Sequence, residues 1–324
     1  MVMIDTHAHL NFNAYRNDLE EVIKRSLAEN IWVINVGSNY KTSKKAVEIA
    51  GNYREGVYAA IGLHPIHLAT DLVKVKTDPE EGAFEAKGED FDKEKYRKLA
   101  LSGAEGSCPE LAEGSCPELA EGSCPELAEG SCPELAEGSC PELAEGSKKV
   151  IAIGEIGLDY YYRPKTKRKL ELFKEKQKEV FLKELDLAKE LNLPVIFHCR
   201  KAHQDLLEVL KLKIKNQNSK IEGVVHCFTG DWEQAKEYLD MGFYLGFNGI
   251  IYKLDLREVI EKTPLEKILI ETDCPYLTPP QAGADRNEPI FVKYIAQEIA
   301  KIKNLDYQRV AEITTQNARK LFNI

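Results

Sequence analysis

Eight short apolar segments alternate with helical patterns along the chain, and this alternation restricts the fold more than any other feature. The segments are almost continuously apolar, as parallel strands are when helices cover both faces of their sheet. They span residues 2–5, 31–36, 57–61, 150–153, 195–197, 223–225, 243–245 and 268–270. Amphipathic stretches lie between or after them, among them 18–30, 168–192, 201–211, 232–241, 255–262, 289–303 and 306–322. Eight strand–helix repeats predict an α/β fold, a (β/α)8 TIM barrel.

A low-complexity repeat interrupts this pattern between the third and fourth predicted strands. Gly-Ser-Cys-Pro-Glu-Leu-Ala-Glu recurs five times over residues 106–145, so we interpret 101–147 as an insertion in a single barrel domain, 1–324. Proline and glycine in every unit stop a helix from propagating, which predicts a disordered loop. Its five thiols offer a partner- or metal-binding alternative. A tolerated expansion is favoured, because the entropic cost of closing a loop grows slowly with its length.

The charge of the chain depends strongly on this insertion. The whole sequence carries 44 basic and 53 acidic residues, but 11 of the glutamates lie in 101–147, which leaves 44 against 42 elsewhere. A balance of about +2 excludes a strongly basic nucleic-acid arm, although not a nucleic-acid active site. No apolar run approaches the ~20 residues of a membrane span, and the N-terminus lacks a signal-peptide pattern. We expect a cytoplasmic protein without membrane contact; a monomer is compatible with the sequence.

Polar side chains follow most of the apolar segments directly, at the strand ends where barrels of this kind carry their chemistry. His7 and His9 lie two residues apart on an extended segment, so their imidazoles point to the same side. Four further candidates come from four other strand ends: Glu155, His198, His226 and Asp273. Imidazoles mixed with carboxylates suit Zn, Mn, Ni or Co, and Mg accepts the carboxylates. Six donors exceed the need of one tetrahedral ion, so we predict two divalent ions bridged by a carboxylate.

Four other residues are candidates for contacts around this site. His64, after the third strand, is a candidate for catalysis or substrate contact, with a plain turn as the alternative. Arg163 and Arg200, just past the fourth and fifth strands, are candidates for phosphate contacts, although as surface arginines they can equally have no role. Glu271 lies two residues before Asp273 on the same strand face. It suits the orientation of a metal-bound histidine, with a buried ion pair as the alternative.

These residues lie in motifs that resemble those of the TatD family of metal-dependent hydrolases. The motifs are, in chain order, IDTHAHL, GLHP, GEIGLDYY, PVIFHCR, VVHCFTG, ETDCPYLTP and RNEP. The resemblance implies a TIM barrel, divalent metals and 3′→5′ exonuclease activity on DNA or RNA ends. It also implies two ligand sets: His7, His9, Glu155 and Asp273 for one metal, and Glu155, His198 and His226 for the other.

The predicted function is therefore phosphodiester hydrolysis at nucleic-acid ends with two divalent ions such as Mg, Mn or Zn. Glu155 and Asp273 are the catalytic carboxylates, and Asp273 is placed to act as general base toward a metal-activated water. Hydrolysis of a small-molecule amide, ester or phosphoester by the same metal cage is the first alternative, favoured by the nearly neutral barrel. A non-enzymatic scaffold with a partner-binding repeat is the second alternative, and the intact set of six donors argues against it.

Overall fold

Eight parallel strands form one nearly closed barrel in the computed structural model, which confirms the predicted (β/α)8 fold. The structure describes residues 2–70, 72–73, 81, 88–102, 149–217 and 220–324. The strands are β1 Met3–Ala8, β2 Ile31–Val36, β3 Val57–Ile61, β4 Val150–Asp159, β5 Val195–Arg200, β6 Gly223–Val225, β7 Tyr244–Phe247 and β8 Ile268–Ile270. Each strand pairs with the next one along the chain. Just beyond β8, the backbone N–H of Asp273 donates to the His7 carbonyl at 2.8 Å, which brings the ends of β8 and β1 together.

Helices follow the strands and form the outer layer of the barrel. They are α1 Leu19–Ala28, α2 Tyr40–Gly51, α3 Lys93–Ser102, α4 Lys167–Leu191, α5 His203–Gln217, α6 Trp232–Asp240, α7 Arg257–Lys262, α8 Val292–Lys303 and α9 Tyr307–Phe322. Helix α2 begins with a capping box in which the Asn39 side chain accepts from the Thr42 backbone N–H. This cap satisfies backbone donors that the first turn leaves unpaired.

The apolar side chains of the barrel divide into two clusters. The larger cluster joins the outward faces of the strands to the helices, and the smaller one fills the barrel interior with residues such as Ile4, Ile196 and Leu269. Leu321 and Phe322, at the end of α9, pack against this interior cluster. Apolar side chains therefore fill the barrel interior, and the polar residues lie beyond them at the C-terminal ends of the strands.

The described residues that flank the repeat insertion lie at the end of the barrel away from these polar strand ends. Helix α3 ends at Ser102 and β4 begins at Val150, so the connection returns to the N-terminal end of a strand. The five repeat units lie outside the described residues, as does nearly all of 101–147. Residues 101 and 102 belong to the last turn of α3, and the bounds 101–147 of the insertion stay a prediction.

None of the helices in the described part of the chain is long and apolar enough to cross a membrane.

Candidate metal centre

Three side chains from β1 and the end of β8 form one half of a buried polar cluster. We name His7, His9 and Asp273 the first donor group. The Nε2 atoms of the two imidazoles lie 3.2 Å apart, and Asp273 Oδ1 lies 3.8 Å from His7 Nε2 and 3.4 Å from His9 Nε2. The two histidines are buried, and the candidate ligand atoms of the group all lie within 4.8 Å of one another. Such convergence of lone pairs is the arrangement expected for a bound cation.

Backbone contacts fix the geometry of the first donor group. His9 Nδ1 lies 2.9 Å from the Val36 carbonyl oxygen, which can only accept, so Nδ1 holds the proton and Nε2 keeps its lone pair for a ligand. Asp5 joins the two strand ends, because its carboxylate accepts from the Thr272 backbone N–H at 2.8 Å, the Thr272 hydroxyl at 2.6 Å and the His7 N–H at 3.3 Å. The sequence analysis did not single out Asp5, whose partner Thr272 is far away in the chain.

Two histidines from neighbouring strands form the other half of the cluster. We name His198, on β5, and His226, directly after β6, the second donor group. His226 Nε2 lies 2.8 Å from Glu155 Oε1, and His198 Nδ1 contacts the same oxygen. The other oxygen, Glu155 Oε2, lies 3.4 Å from His7 Nε2 and 3.8 Å from His9 Nε2. Glu155, on β4, therefore presents one carboxylate oxygen to each donor group.

Carboxylates lie behind both imidazoles of the second donor group. Glu271 Oε1 lies 3.4 Å from His226 Nδ1 and accepts from the Cys227 backbone N–H at 2.6 Å. Asp159 Oδ2 lies 3.3 Å from His198 Nε2. A carboxylate that faces one nitrogen of an imidazole holds the proton on that nitrogen. The lone pair of the other nitrogen is then directed toward a metal. The positions of both carboxylates therefore favour His226 Nε2 and His198 Nδ1 as ligand atoms.

His64 lies beside the second donor group but presents a donor rather than a lone pair. Its Nδ1 accepts from the Ile66 backbone N–H at 2.9 Å, so the neutral ring holds its proton on Nε2, which lies 3.4 Å from Glu155 Oε1. His64, Asp159 and His198 also lie close enough to hold an ion. We do not assign a metal to this trio, because the His64 nitrogen that faces the cluster is protonated and Asp159 is paired with Arg200 at 2.6 Å.

The charges of the cluster suit a divalent cation. Burial alone would raise the pKa of Glu155, but the surrounding imidazoles, His226 foremost, hold it well below its usual value. Burial would likewise raise the pKa of Asp273, and its hydrogen bond with His9 is the first of the contacts that lower it. Both carboxyls are therefore ionised at neutral pH. Burial and the neighbouring His226 lower the pKa of His7, which keeps that imidazole neutral and able to act as a ligand.

The residue set passes a direct test of fit for metal ions. Buried nitrogens of His7 and His9 face carboxylate oxygens of Glu155 and Asp273, and each other, across 3.2–3.8 Å. A bound cation would satisfy these lone pairs together, and mixed imidazole and carboxylate donors suit divalent metals. The six residues predicted as ligands from the sequence are thus brought together in one cluster at the C-terminal ends of the strands.

The two predicted phosphate-binding arginines have different surroundings. Arg163 is exposed, and it forms no ion pair with a residue that the structure describes. Arg200 forms a two-pronged contact with Asp159 Oδ2, through Nε at 2.9 Å and Nη2 at 2.6 Å. The sequence analysis missed Asp159, although the alternation of β4 gave a signal, because Asp159 lies four residues after Glu155.

Comparisons with known proteins agree with this fold. A family model described as TatD related DNase matches residues 4–323. The metal-dependent hydrolase YabD of Bacillus subtilis is 35% identical over 327 residues, covering 100% of both chains. The 3′-5′ ssDNA/RNA exonuclease TatD of Citrobacter rodentium is 40% identical over 185 residues, which cover 54% of this chain and 66% of the relative. The crystal structure of YjjV, a TatD homologue from Escherichia coli K12, matches the fold with a TM-score of 0.69 at 24% identity, covering 99% and 98% of the two chains.

Proposed function

The chain belongs to the TatD family of metal-dependent hydrolases, and from this premise we propose that it is a two-metal 3′→5′ exonuclease acting on DNA or RNA ends. Hydrolysis of ester bonds is the shared chemistry of the family to which the chain belongs. The nucleic-acid substrate and the 3′→5′ direction of digestion are proposed by similarity to the Citrobacter rodentium exonuclease. The cytoplasmic location expected from the sequence remains a prediction, and a monomer stays compatible with the sequence.

One observation carries the proposal of two ions, namely the division of Glu155 between the two donor groups. Its Oε2 atom faces His7 and its Oε1 atom faces His226, at 3.4 and 2.8 Å. A carboxylate that offers one oxygen to each of two ligand sets is the usual bridge of a two-metal site. His9 and Asp273 would complete the first ion's ligands, and His198 would complete the second ion's.

The protein's own groups would perform three tasks in hydrolysis. When bound, the two ions would polarise the phosphoryl group and activate a water molecule for attack. Asp273, the more exposed carboxylate of the cluster with 16% of its side chain accessible, is placed to accept the proton of that water. The Nε2–H of His64 is placed to donate a hydrogen bond to an oxygen of the substrate. Glu155 holds the two ligand sets at a fixed separation.

The activity is tested with end-labelled oligonucleotides and the metal-loaded protein. We expect a 5′-labelled single strand to shorten stepwise into a ladder, and a 3′-labelled one to release labelled mononucleotide at once. Chelation of the metal should abolish both reactions, since no donor set in the cluster can replace the ions' charge. Intact oligonucleotides, together with turnover of a chromogenic ester or amide, would contradict the proposal and support the small-molecule hydrolase instead.

A further inference from the structure

Two tyrosines stand exposed at the end of β4, beside the metal centre. Tyr161 and Tyr162 have 50% and 42% of their surfaces accessible, and they are the only aromatic residues among the exposed large hydrophobic side chains of the described residues. Their ring centroids lie 4.9 Å apart, with the ring planes at 89°. Aromatic faces left in water next to an active site are available to a planar ligand.

Cationic side chains flank the same tyrosine rings. The Arg200 guanidinium carbon lies 4.5 Å from the Tyr161 ring centroid and 5.6 Å from that of Tyr162, and Lys201 Nζ lies 5.5 Å from the Tyr161 centroid. Aromatic faces interleaved with cations are the combination by which proteins bind single-stranded nucleic acid, the ring stacking on a base and the cation contacting the backbone. The two tyrosine rings and the cations beside them therefore offer both parts of a binding site for one nucleotide.

Short contacts join this pair to the metal centre. The Tyr161 backbone N–H donates to Asp159 Oδ1 at 2.8 Å. Asp159 Oδ2 in turn lies 3.3 Å from Nε2 of His198, whose other ring nitrogen contacts Glu155. Only Asp159 and His198 therefore separate the tyrosine pair from the bridging carboxylate. A strand whose end reaches the metal centre would have its neighbouring nucleotides within reach of the tyrosines.

Tyr162 also lines a small cleft. Its lining includes the apolar side chains of Pro65, Ile66 and Phe173, together with Asp159. Pro65 directly follows His64, so the cleft begins beside a side chain of the cluster.

We propose that Tyr161 and Tyr162 stack on an unpaired base of the substrate strand and thereby select single-stranded ends over paired ends. The proposal rests on the proposed exonuclease function and names the residues that determine its strand preference. A base within a duplex is already stacked between its neighbours and paired with its partner, so contact with the tyrosines would require its removal from the helix. An unpaired base offers its face without that cost.

The test removes a tyrosine ring from the enzyme and a base from the substrate, singly and together, as in a double-mutant cycle. Single-stranded oligonucleotides with one abasic (tetrahydrofuran) residue, placed in turn at each of the four 3′-terminal positions, are compared with the unmodified strand. For the wild-type enzyme we expect one position at which the abasic residue lowers kcat/KM by about 5- to 100-fold, the range of one lost base–aromatic stack. Tyr161→Ala or Tyr162→Ala should lower kcat/KM on the unmodified strand by a similar factor, chiefly through KM, and should reduce the penalty of the abasic residue.

Tyr161→Phe is the matched control, because it keeps the ring and the backbone N–H that contacts Asp159. We expect it to retain wild-type kcat/KM within about twofold, with metal content unchanged in all three variants. The preference for single-stranded over blunt duplex ends should fall in the alanine variants and persist in Tyr161→Phe.

Two further outcomes distinguish a failure of the stacking proposal from a failure of the exonuclease proposal. Digestion by both alanine variants at the wild-type rate, or an equal loss with and without the base, would overturn the stacking role and leave the exonuclease proposal standing. Failure of the wild-type enzyme to digest any oligonucleotide would overturn the exonuclease proposal and the stacking role together. The wild-type abasic series requires no variant to fold and tests the stacking role even if the alanine variants are unstable.

Discussion

The two donor groups differ in what lies behind their histidines. In the first donor group, a backbone carbonyl holds the His9 ring, and Asp5 reaches the backbone N–H of His7 but not its ring. In the second, carboxylates face the rear nitrogens of both imidazoles, Glu271 behind His226 and Asp159 behind His198. A carboxylate behind a ligand histidine orients the ring and raises its basicity. The second donor group should therefore bind its ion more tightly, and the first should exchange its ion more readily.

The exposure of the carboxylates supports the same division of roles. Glu155 has 5% of its side chain accessible, whereas Asp273 of the first donor group has 16%. Water and substrate therefore reach Asp273 more easily than Glu155. We propose that the second donor group retains its ion and that Asp273 of the first donor group takes part in the chemistry.

The largest expected effect comes from removal of the carboxylate that both groups share. Glu155→Gln keeps the shape of the side chain but removes the charge between the two ligand sets, so we expect both ions to bind weakly and kcat/KM to fall by about 10³–10⁵-fold. Metal analysis after desalting, beside the kinetics, checks the reason. Two retained ions together with normal turnover would show that the groups do not depend on Glu155.

Asp273→Asn tests the role of the first donor group in the chemistry. The amide keeps one acceptor oxygen but has no basic site, so kcat should fall by about 10²–10⁴-fold, the range of a lost acid–base group. The ion of the second donor group should stay bound, and binding of a labelled oligonucleotide should survive. Steady-state kinetics with a binding assay measure both quantities. Normal turnover with full metal loading would move the general base elsewhere, with His64 the first residue to examine.

His198→Ala tests the second donor group by removing a ligand rather than a base. We expect metal content to fall toward one ion per chain and activity to return in part with excess metal, since binding is then weakened rather than abolished. A titration of activity against metal concentration, run beside Asp273→Asn, separates the two groups. Rescue of Asp273→Asn and failure to rescue His198→Ala would reverse the assignment.

Glu271→Gln addresses the carboxylate behind His226 alone. The amide would lose the negative charge facing Nδ1, and metal affinity of the second donor group should fall by about 10- to 100-fold. The exposed Glu258 on α7 offers the matched control, because Glu258→Gln also removes one charge but lies on the outer helix layer. Equal metal affinities in the two variants would show that the rear carboxylate does not distinguish the groups.

Deletion of residues 106–145 should have the smallest effect. The described ends that flank the segment, the end of α3 and the N-terminal end of β4, lie away from both donor groups, so we expect metal content and turnover to stay within a few-fold of the full chain. Metal analysis and the oligonucleotide assay measure this. A selective loss of one ion or a large loss of activity in a folded deletion variant would give the repeat a role in the site.

The barrel and the six candidate ligands could be predicted from the sequence, because both depend on local sequence patterns. Strand ends are read from apolar runs, and the ends of parallel strands converge at one side of a barrel, so residues at those ends meet. The pair His7 and His9 follows from the period of an extended chain, and the same period could have identified Asp159 from Glu155.

Contacts between distant segments could not be read in the same way. Arg200 turns toward Asp159 because β4 and β5 place the two residues opposite each other, a register that no local pattern reports. The proton position on His64 depends on the Ile66 N–H, which a turn brings to its ring. Asp5 likewise acquires its role from Thr272 at the other end of the chain. Roles that depend on hydrogen bonds across the barrel required the structure.

The central claim, that Glu155 bridges two ions held by unequal donor groups, is tested most directly by electron paramagnetic resonance of the Mn²⁺-loaded protein. Metal is added stepwise to the metal-free chain while the bound signal is recorded. The account predicts two bound ions per chain, filled one after the other, with a spin-coupled spectrum at full loading that Glu155→Gln abolishes. A single bound ion, or two ions whose spectra stay uncoupled in the wild-type protein, would contradict it.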